Sequence, residues 1–542
     1  MNRSKLFTFP IIATLVFHGC NEGDSQIDRP NILFIMSDDH AYQAISAYSD
    51  LLTSTPNIDR IAEEGMLFTN ACVSNSICAP SRATILTGKH CHIHGKTDNV
   101  FPFDTTQMTF PQLLQDAGYQ TAMFGKLHFG NSPKGFDQFW ILPGQGSYYN
   151  PEFITKNKGK VNVEGYTTDI ITDLTLDWLK EERDDSKPFL MMYLHKAPHR
   201  EWLPAPRHFK EFTKMTFREP ETLFDDYSGR GSAAREAEMN ILTHMNWAGD
   251  SKIKPDVMDE LGIPETADWD KDAFAREVGR MNAEQRASWD SVYDPINEAF
   301  RESYNNMSEE DLMKWRYQRY MQDYLGSIAA VDDGVGRVLD YLEESGLAEN
   351  TIVVYTSDQG FYLGEHGWFD KRFVYNESFK TPFMVRWPRV IKPATVITQM
   401  VQNLDYAQTF LDAAGVKAPG DMQGESLLPL FKGETEDFRE AVYYHYYEYP
   451  AVHMVKRHYA IVTEDYKLIH FYYDMDEWEL YDRKKDLHEM TNEYDNPKYS
   501  DVVIKLKKEL AELRTEYKDS EELDKANLER FLNREGLSEM GH

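Results

Sequence analysis

Short apolar runs, each followed directly by a polar cluster, recur along the chain. Runs of this length with polar boundaries are typical of strands that are buried on both faces of a parallel sheet. Patterns with helical spacing lie between the runs, and several begin near a proline or end before a glycine. This alternation predicts an α/β fold with a doubly wound, mostly parallel sheet. The predicted strands are 31–36, 119–124, 189–194 and 351–356, and the predicted helices are 56–64, 111–117 and 168–180.

The polar clusters that follow these strands are the first candidates for a site. Ligands of doubly wound sheets bind beyond the carboxyl ends of the strands, so we expect the four clusters to share one rim. Each cluster alone is compatible with a solvated loop, but core packing does not explain a polar cluster at every strand end. The cluster residues are Asp38, Asp39, Lys126, His128, His195, Lys196, His199, Asp358 and Gln359.

The rest of the chain has a different pattern. Residues 207–315 lack clear strands, and we predict a helical or irregular insertion near the active face. A helix over 317–342 follows, and its Asp332 and Asp333 are predicted to lie on a solvated face. Aromatic strands and a charged helix then predict a small antiparallel sheet with a covering helix. These strands are 441–447, 458–462, 466–472 and 479–481, the helix is 502–514, and 520–542 is predicted to be a loosely packed polar tail.

The patterns divide the chain into a targeting segment over 1–20, a large α/β domain over 27–440 and a C-terminal α+β subdomain with its tail over 441–542. The first segment has a basic start and an apolar run, and it ends in Gly19-Cys20, which resembles the end of a bacterial lipobox. Cys20 is therefore a candidate for lipidation, and plain secretion is the alternative. Either outcome predicts an exported protein that is periplasmic, attached to the cell surface or secreted.

Charge and cysteine content limit the partners. The 542 residues carry a formal net charge of −31, which repels nucleic acids and anionic membranes. We therefore expect no nucleic-acid partner, and membrane contact only through a lipid on Cys20. Four cysteines are too few for disulfides to define the fold of an exported protein, and the sequence leaves open whether Cys72 and Cys91 pair.

Cys78 and Arg82 carry the most specific chemistry. Cys78 lies at the head of a predicted helix, where backbone N–H groups and the guanidinium of Arg82 both favour a nearby anion. Oxygen donors alone select calcium or magnesium over zinc. Here the oxygen donors are Asp38, Asp39, Asp358 and Gln359. The alternatives are a structural cysteine and aspartates that cap the following helix.

Residues 78–88 fill every fixed position of the pattern C-x-P-S-R-x(4)-T-G, so the chain resembles the formylglycine-dependent (type I) sulfatases over roughly 31–494. The resemblance implies an alkaline-phosphatase-like α/β fold and oxidation of Cys78 to formylglycine by a formylglycine-generating enzyme. It also implies one bound calcium ion. The implied metal ligands are Asp38, Asp39, modified Cys78, Asp358 and Gln359.

The resemblance also implies catalytic roles by position. One hydroxyl of the hydrated formylglycine would attack sulfur with Asp358 as base, and the other would expel sulfate. Arg82 would hold residue 78 and the metal cluster in place. His199 would protonate the leaving oxygen, His128 would assist sulfate release, and the two lysines would bind sulfate oxygens. The implied catalytic residues are Cys78, Arg82, Lys126, His128, His199 and Lys371.

Substrate recognition is assigned to fewer residues. The segment 363–372 is predicted to form a pocket wall, in which His366 and Arg372 either recognise sugar hydroxyl or anionic groups or order the loop. Trp202 is a candidate for stacking on a sugar ring, and packing is its alternative.

Residues 148–151, 190–192 and 197–199 resemble the N-acetylglucosamine-6-sulfatase branch, which acts on glycosaminoglycans and mucin glycans. Sulfatases of algal polysaccharides such as ulvan share much of this pattern. We therefore expect a sulfatase acting on a sulfated oligosaccharide or polysaccharide, with N-acetylglucosamine-6-sulfate esters as the first choice. A phosphodiesterase or phosphonate hydrolase on the same scaffold is one alternative, and a noncatalytic carbohydrate-binding protein with unmodified Cys78 is another.

Overall fold

The computed structural model of the chain describes residues 29–435 and 437–534. The predicted targeting segment over 1–20, including Cys20, lies outside these ranges. Within the described ranges, no helix is long and apolar enough to cross a membrane.

A ten-stranded mixed sheet organises the larger part of the molecule. Its strands are β1 Asn31–Ser37, β2 Met66–Phe68, β4 Gln120–Lys126, β5 Gln138–Leu142, β6 Glu152–Thr155, β7 Gly159–Asn162, β8 Phe189–Leu194, β9 Thr351–Ser357, β10 Phe383–Arg386 and β11 Thr395–Ile397. The strand order is β11-β2-β10-β9-β1-β8-β4-β5-β6-β7, and the five central strands β9, β1, β8, β4 and β5 are parallel. A separate two-stranded sheet pairs β3 Ala71–Cys72 with β12 Val401–Gln402.

Helices cover both faces of the large sheet, so the predicted doubly wound α/β fold is confirmed. Along β1, Leu33 and Ile35 belong to one core cluster, and Ile32 and Phe34 belong to the other. The helices in chain order are α1 Pro56–Glu63, α2 Cys78–Thr87, α3 Cys91–His94, α4 Phe110–Asp116, α5 Thr167–Asp177, α6 Phe209–Phe212, α7 Ser232–Glu236, α8 Pro255–Leu261, α9 Asp270–Gly279, α10 Ala283–Ser303, α11 Glu309–Glu344, α12 Asn376–Phe379, α13 Asp405–Ala413, α14 Leu428–Phe431, α15 Ser500–Glu516 and α16 Glu521–Leu532.

The segment 207–315 is largely helical and contains α6 to α10 with irregular connections. The helix predicted over 317–342 is longer, because α11 begins at Glu309, directly after the capping residue Ser308, whose side chain accepts a hydrogen bond from the Asp311 N–H. The prediction that Asp332 lies on a solvated face is wrong: its side chain is buried and accepts hydrogen bonds from the first turn of α1. Asp333 is partly exposed and contacts Arg207.

The C-terminal part forms the predicted antiparallel sheet, in the order β13-β14-β15-β16. One face packs against α15, and the other packs against aromatic residues of the larger part, including Trp368 and Tyr375. The tail predicted to be loosely packed contains α16, whose Phe531 is buried. The strands are β13 Ala441–Tyr446, β14 His458–Thr463, β15 Tyr466–Phe471 and β16 Glu477–Asp482.

Candidate active site

The carboxyl ends of β1 and β9 bring three carboxylates together. These strands are parallel neighbours with Ser37 opposite Ser357, so the residues that follow them meet on one rim. Asp39 has a positive φ of 64°, which turns its backbone N–H toward Asp358 Oδ1 at 3.1 Å. The side chains of Asp38, Asp39 and Asp358 are fully buried, and one carboxylate oxygen from each lies within 4.8 Å of the others.

Cys78 is the first residue of α2, a helix in which every residue is buried. Its Sγ lies 3.4 Å from Asp38 Oδ1, and the backbone N–H of Ala79 donates to Asn99 Oδ1 at 3.1 Å. Burial and the neighbouring Asp38 raise the pKa of the Cys78 thiol well above its usual range. The unmodified side chain is therefore a protonated thiol, which is a poor nucleophile.

Three buried cations neutralise the carboxylates. Arg82 Nε donates to Asp358 Oδ2 at 2.9 Å, and Lys371 Nζ donates to both oxygens of Asp39 at 2.5 and 2.7 Å. Lys126 Nζ forms an ion pair with Asp38. Lys126 is the last residue of β4. The preceding residue, Gly125, has a φ of 113°, and a Cβ on Gly125 would lie 1.7 Å from a backbone oxygen of β8.

The three carboxylates of this cluster differ in the direction in which their pKa values are shifted. Although burial opposes ionisation, Lys126 and Arg82 hold the pKa of Asp38 well below its usual range. Burial raises the pKa of Asp39 to about 7 despite Lys371, and burial together with Asp38 raises the pKa of Asp358 to about 6. Two of the three carboxylates therefore have unusually high proton affinity, which a bound cation would reverse.

The residues present fit a hard divalent cation. The carboxylate oxygens of Asp38, Asp39 and Asp358 form one cluster of candidate ligand atoms, and a second cluster joins Asp38 to the Cys78 sulfur and a His199 ring nitrogen. Gln359 Nε2 donates to Asp39, which leaves Gln359 Oε1 buried and without a hydrogen-bond partner among the described residues. Asp38, Asp39, Asp358 and Gln359 would hold such an ion.

The two predicted catalytic histidines both reach this rim. His199 Nδ1 hydrogen-bonds to the Arg200 carbonyl, and Nε2 lies 3.9 Å from Asp39 Oδ2. Burial and the Lys126 ammonium lower the pKa of His199 well below its usual range. His128 follows β4, is 2% exposed and has a φ of 63°.

A pocket beside Cys78 is lined by residues of the larger part and of the C-terminal part. Of the predicted residues, Cys78, Lys196, His199, Lys371 and Arg372 line it. Arg372 Nη1 donates to Glu448 Oε1 at 2.9 Å, which holds its guanidinium in the pocket wall. The other lining residues are Asn99, Gln145, Gly146, Tyr148, Arg200, Glu201, Trp269, Arg276, Glu277, Asp370, Val452 and His453.

Two predicted substrate-binding residues lie elsewhere. Trp202 is fully buried and packs on Tyr320 at a ring-centroid distance of 4.4 Å, so the packing alternative is correct. His366 is also fully buried, with Nδ1 3.4 Å from Asp225 and Nε2 3.7 Å from Glu377. His366 therefore orders the loop and does not face a sugar.

Lys196, which the sequence analysis places on the rim after β8, lines the pocket. Other pocket residues were missed. Asn99 and Gln145 follow no strand of the predicted core, and His453 comes from the C-terminal part, so no sequence signal pointed to them. Cys72 and Cys91 are buried free cysteines, which resolves the open question about their pairing.

Comparisons with known proteins agree with this geometry. The sulfatase family model matches residues 30–416, and the model described as N-sulphoglucosamine sulphohydrolase, C-terminal, matches residues 364–516. An N-acetylglucosamine-6-O-sulfatase of Bacteroides thetaiotaomicron is 47% identical over 531 residues, which cover 94% of this chain and 91% of the relative. The N-acetylglucosamine-6-sulfatase of Homo sapiens is 28% identical over 434 residues, which cover 75% of this chain and 65% of the relative.

Among solved structures, a protein in complex with its substrate D-glucosamine-2-N,6-O-disulfate superposes with a TM-score of 0.87. Its sequence is 48% identical, and the match covers 92% of this chain and 100% of that chain. The likeness therefore extends over both the larger part and the C-terminal part of the chain.

Proposed function

Because this chain belongs to the sulfatase family, we propose that it removes the 6-O-sulfate of N-acetylglucosamine-type sugars. The reaction class, hydrolysis of a sulfuric ester, follows from the family. The substrate is supported by the 47% identical relative, which is an N-acetylglucosamine-6-O-sulfatase, and by the 48% identical protein solved with glucosamine-2-N,6-O-disulfate. The observation that carries the proposal is the buried group of Cys78, three carboxylates and three cations beside a pocket that Cys78 and Lys371 line.

The proposed cofactor is calcium, and the proposed nucleophile is formylglycine made from Cys78 by a formylglycine-generating enzyme. The cation would stabilise negative charge on the sulfate oxygens. The hydrated aldehyde would supply two geminal hydroxyls, one to attack sulfur and one to release the bound sulfate. The high pKa of the Cys78 thiol supports the need for this modification, because the unmodified residue carries no thiolate.

The charged and titratable side chains around residue 78 have separate proposed roles. Lys126 and Lys371 are held by Asp38 and Asp39, so their ammonium groups are fixed beside the sulfur position and would stabilise the developing oxyanion charge. Arg82 holds the cluster through Asp358. An anionic ester beside His199 raises the pKa of the imidazole, which prepares Nε2 to protonate the leaving oxygen.

The upper pocket wall is suited to a sugar ring. His453 Nε2 lies 3.2 Å from Asp370 Oδ2, and Arg372 Nε lies 3.4 Å from Asp370 Oδ1. These three polar side chains would hydrogen-bond ring hydroxyl groups and orient the 6-position toward residue 78. Of the two roles predicted for Arg372, recognition of the sugar and ordering of the loop, we therefore propose recognition.

Export remains part of the proposal. The targeting segment over 1–20 supports a periplasmic, cell-surface or secreted enzyme, and lipid on Cys20 would provide the membrane contact. Sulfated glycans outside the cytoplasm are then the accessible substrates.

The test measures sulfate released from N-acetylglucosamine-6-sulfate and from ulvan fragments, by protein made in a host that contains the maturation enzyme. Hydrolysis of a phosphate diester and of a phosphonate ester is followed in parallel by the alcohol that each releases. We expect turnover of the 6-sulfated sugar, and mass spectrometry should show that residue 78 is about 18 Da lighter than cysteine. Cys78→Ala should abolish turnover, whereas Cys91→Ala, at a buried cysteine outside the pocket, should retain it.

Other outcomes identify the alternatives. Preferred turnover of ulvan fragments would place the enzyme with polysaccharide sulfatases, and preferred turnover of the diester or phosphonate would support the hydrolase alternative. Retention of sulfated glycan without release of sulfate, together with unmodified Cys78, would support the binding protein.

A further inference from the structure

A groove leads away from the active-site pocket across the end of α9. The pocket and the groove share Gly146, Arg276 and Glu277 in their walls, so the groove begins at the pocket mouth. Its volume is about 280 Å³. The remaining wall residues are Pro143, Ser147, Glu152, Asn162 and Arg280.

Two arginines define the charge of this groove. Arg276 lies in the last turn of α9 and Arg280 is its C-terminal capping residue in a helical conformation, so the two side chains leave the same helix face. Both are exposed, and neither guanidinium has a hydrogen bond or ion pair within 29–435 or 437–534. Like charges four residues apart on a helix repel each other, and an anion between the two guanidinium groups would remove that repulsion.

The acidic residues of the groove already have partners. Glu152 forms an ion pair with Lys160 at 2.8 Å, and Glu277 accepts a hydrogen bond from Ser147 Oγ at 3.0 Å. An alternative is that the arginines only complement the dipole at the end of α9. That alternative does not require them to line a groove connected to the pocket.

We propose that the groove is a subsite for a second anionic group of the substrate, a sulfate or a carboxylate, bound by Arg276 and Arg280. This inference rests on the proposed function, because the 6-sulfate must occupy the base of the pocket for a second anion to reach the groove. The second anion belongs either to the sugar that carries the 6-sulfate or to the sugar linked to it. Two forked guanidinium groups suit the planar or tetrahedral oxygens of such anions.

The test compares three substrates by kcat/KM: N-acetylglucosamine-6-sulfate, glucosamine-2-N,6-O-disulfate, and a disaccharide that joins a uronic acid to N-acetylglucosamine-6-sulfate. In R276A/R280A, the ratio of kcat/KM for an anion-bearing substrate to that for the monosulfate should fall about tenfold. A fall for the disulfate locates the anion on the same sugar, and a fall for the disaccharide locates it on the neighbouring one. Unchanged ratios for both substrates would overturn the subsite.

Matched variants separate binding from folding. R276K/R280K keeps the charge but loses the fork, so its ratio should fall less. Arg218→Ala removes an exposed arginine whose guanidinium is 3.5 Å from Glu221, outside the groove, and should leave the ratio unchanged. The melting temperature of each variant checks that the fold is intact.

Two further readouts keep the subsite and the proposed function distinguishable. Calorimetric binding of glucosamine-2-N,6-O-disulfate to the Cys78→Ala protein needs no turnover, and R276A/R280A should weaken it about tenfold if that sugar carries the second anion. Absence of sulfate release from every 6-sulfated sugar by the wild-type protein would refute the proposed function. Normal sulfate release, together with affinities for the anion-bearing substrates that do not depend on Arg276 and Arg280, would refute the subsite alone.

Discussion

The carboxylates of Asp38, Asp39 and Asp358 are costly to bury in the folded chain when no cation is bound. All three are fully buried, and burial raises the pKa of two of them. Gln359 Nε2 donates to Asp39, and Gln359 Oε1 has no hydrogen-bond partner in the described part of the chain. A divalent cation would offset both costs, so metal affinity and stability should be linked at this site.

We therefore expect chelation to lower the melting temperature of the protein together with its activity. Asp39→Asn should reduce metal content, measured by mass spectrometry of the bound metal, and should shrink the chelator-induced shift, because one of the repelling carboxylates is gone. Glu464→Ala, at a side chain that is 82% exposed, is the control and should behave as wild type. An unchanged metal content in Asp39→Asn would contradict the ligand role of Asp39.

Lys196 gives the site a predicted pH dependence. It lines the pocket, and burial together with Lys126 lowers its pKa to about 8. The protonated form attracts a sulfate ester, and this form is lost as the pH rises through the pKa. The value of kcat/KM should therefore decrease above about pH 8.

Two substitutions test that origin of the alkaline decrease. In Lys196→Arg the decrease should move to higher pH, because a guanidinium stays protonated. Lys196→Met should lower kcat/KM about tenfold at neutral pH and remove the decrease near pH 8. If Lys196→Arg leaves the pH profile where it was, another group is responsible.

At the residue scale, strand ends and the C-x-P-S-R-x(4)-T-G pattern were sufficient to predict the base of the site, because parallel neighbours in register must deliver their next residues to one rim. They were not sufficient for the pocket wall. Trp202 and His366 lie near the site along the chain, but their side chains point into the core. His453 is far away along the chain and reaches the pocket only through the packing of the two sheets.

At the element scale, Asp332 shows how a helix end can be capped from outside its own segment. Thr55 precedes α1 but makes no side-chain capping bond to it. Asp332 of α11 instead accepts hydrogen bonds from the backbone N–H groups of Asn57 and Ile58 at 3.0 and 2.9 Å. The buried carboxylate thus joins two helices that pack on the same face of the sheet.

Asp332→Ala should destabilise the protein by about 1–3 kcal/mol, because it leaves buried N–H groups of α1 without an acceptor. Chemical denaturation followed by circular dichroism measures this loss. Asp333→Ala is the matched control: its carboxylate is 42% exposed and contacts Arg207, so its loss should cost less than about 1 kcal/mol. Equal costs for the two variants would contradict the capping role.

Element boundaries from the sequence were accurate where hydrophobic spacing was regular. The strands at 189–194 and 441–447 agree with β8 and β13 within one residue. The last helix α16 was missed because its apolar positions are few, and its stability comes from packing of residues such as Phe531 in the tertiary structure. The same physical reason limited what could be predicted for 207–315.

At the scale of the whole molecule, the C-terminal sheet is part of the active site and of the core. Val452 and His453 line the pocket, and Glu448 pairs with Arg372 on the pocket wall. The inner face of the sheet shares a hydrophobic cluster with residues that follow β9, including Trp368. Loss of one part should therefore expose the core of the other, and the two should unfold together.

Glu479 of β16 tests this coupling. Its buried carboxylate accepts hydrogen bonds from the hydroxyl of Tyr375 at 2.7 Å and the backbone N–H of Gly231 at 2.8 Å, which belong to two separate segments of the larger part. Glu479→Ala leaves both donors without this acceptor and should cost about 2–4 kcal/mol. Calorimetry and the loss of sulfatase activity should both report one transition, shifted to lower temperature. Glu464→Ala, in the exposed turn of the same sheet, should leave the transition unshifted, and two separate transitions in either variant would show that the C-terminal sheet folds independently of the catalytic part.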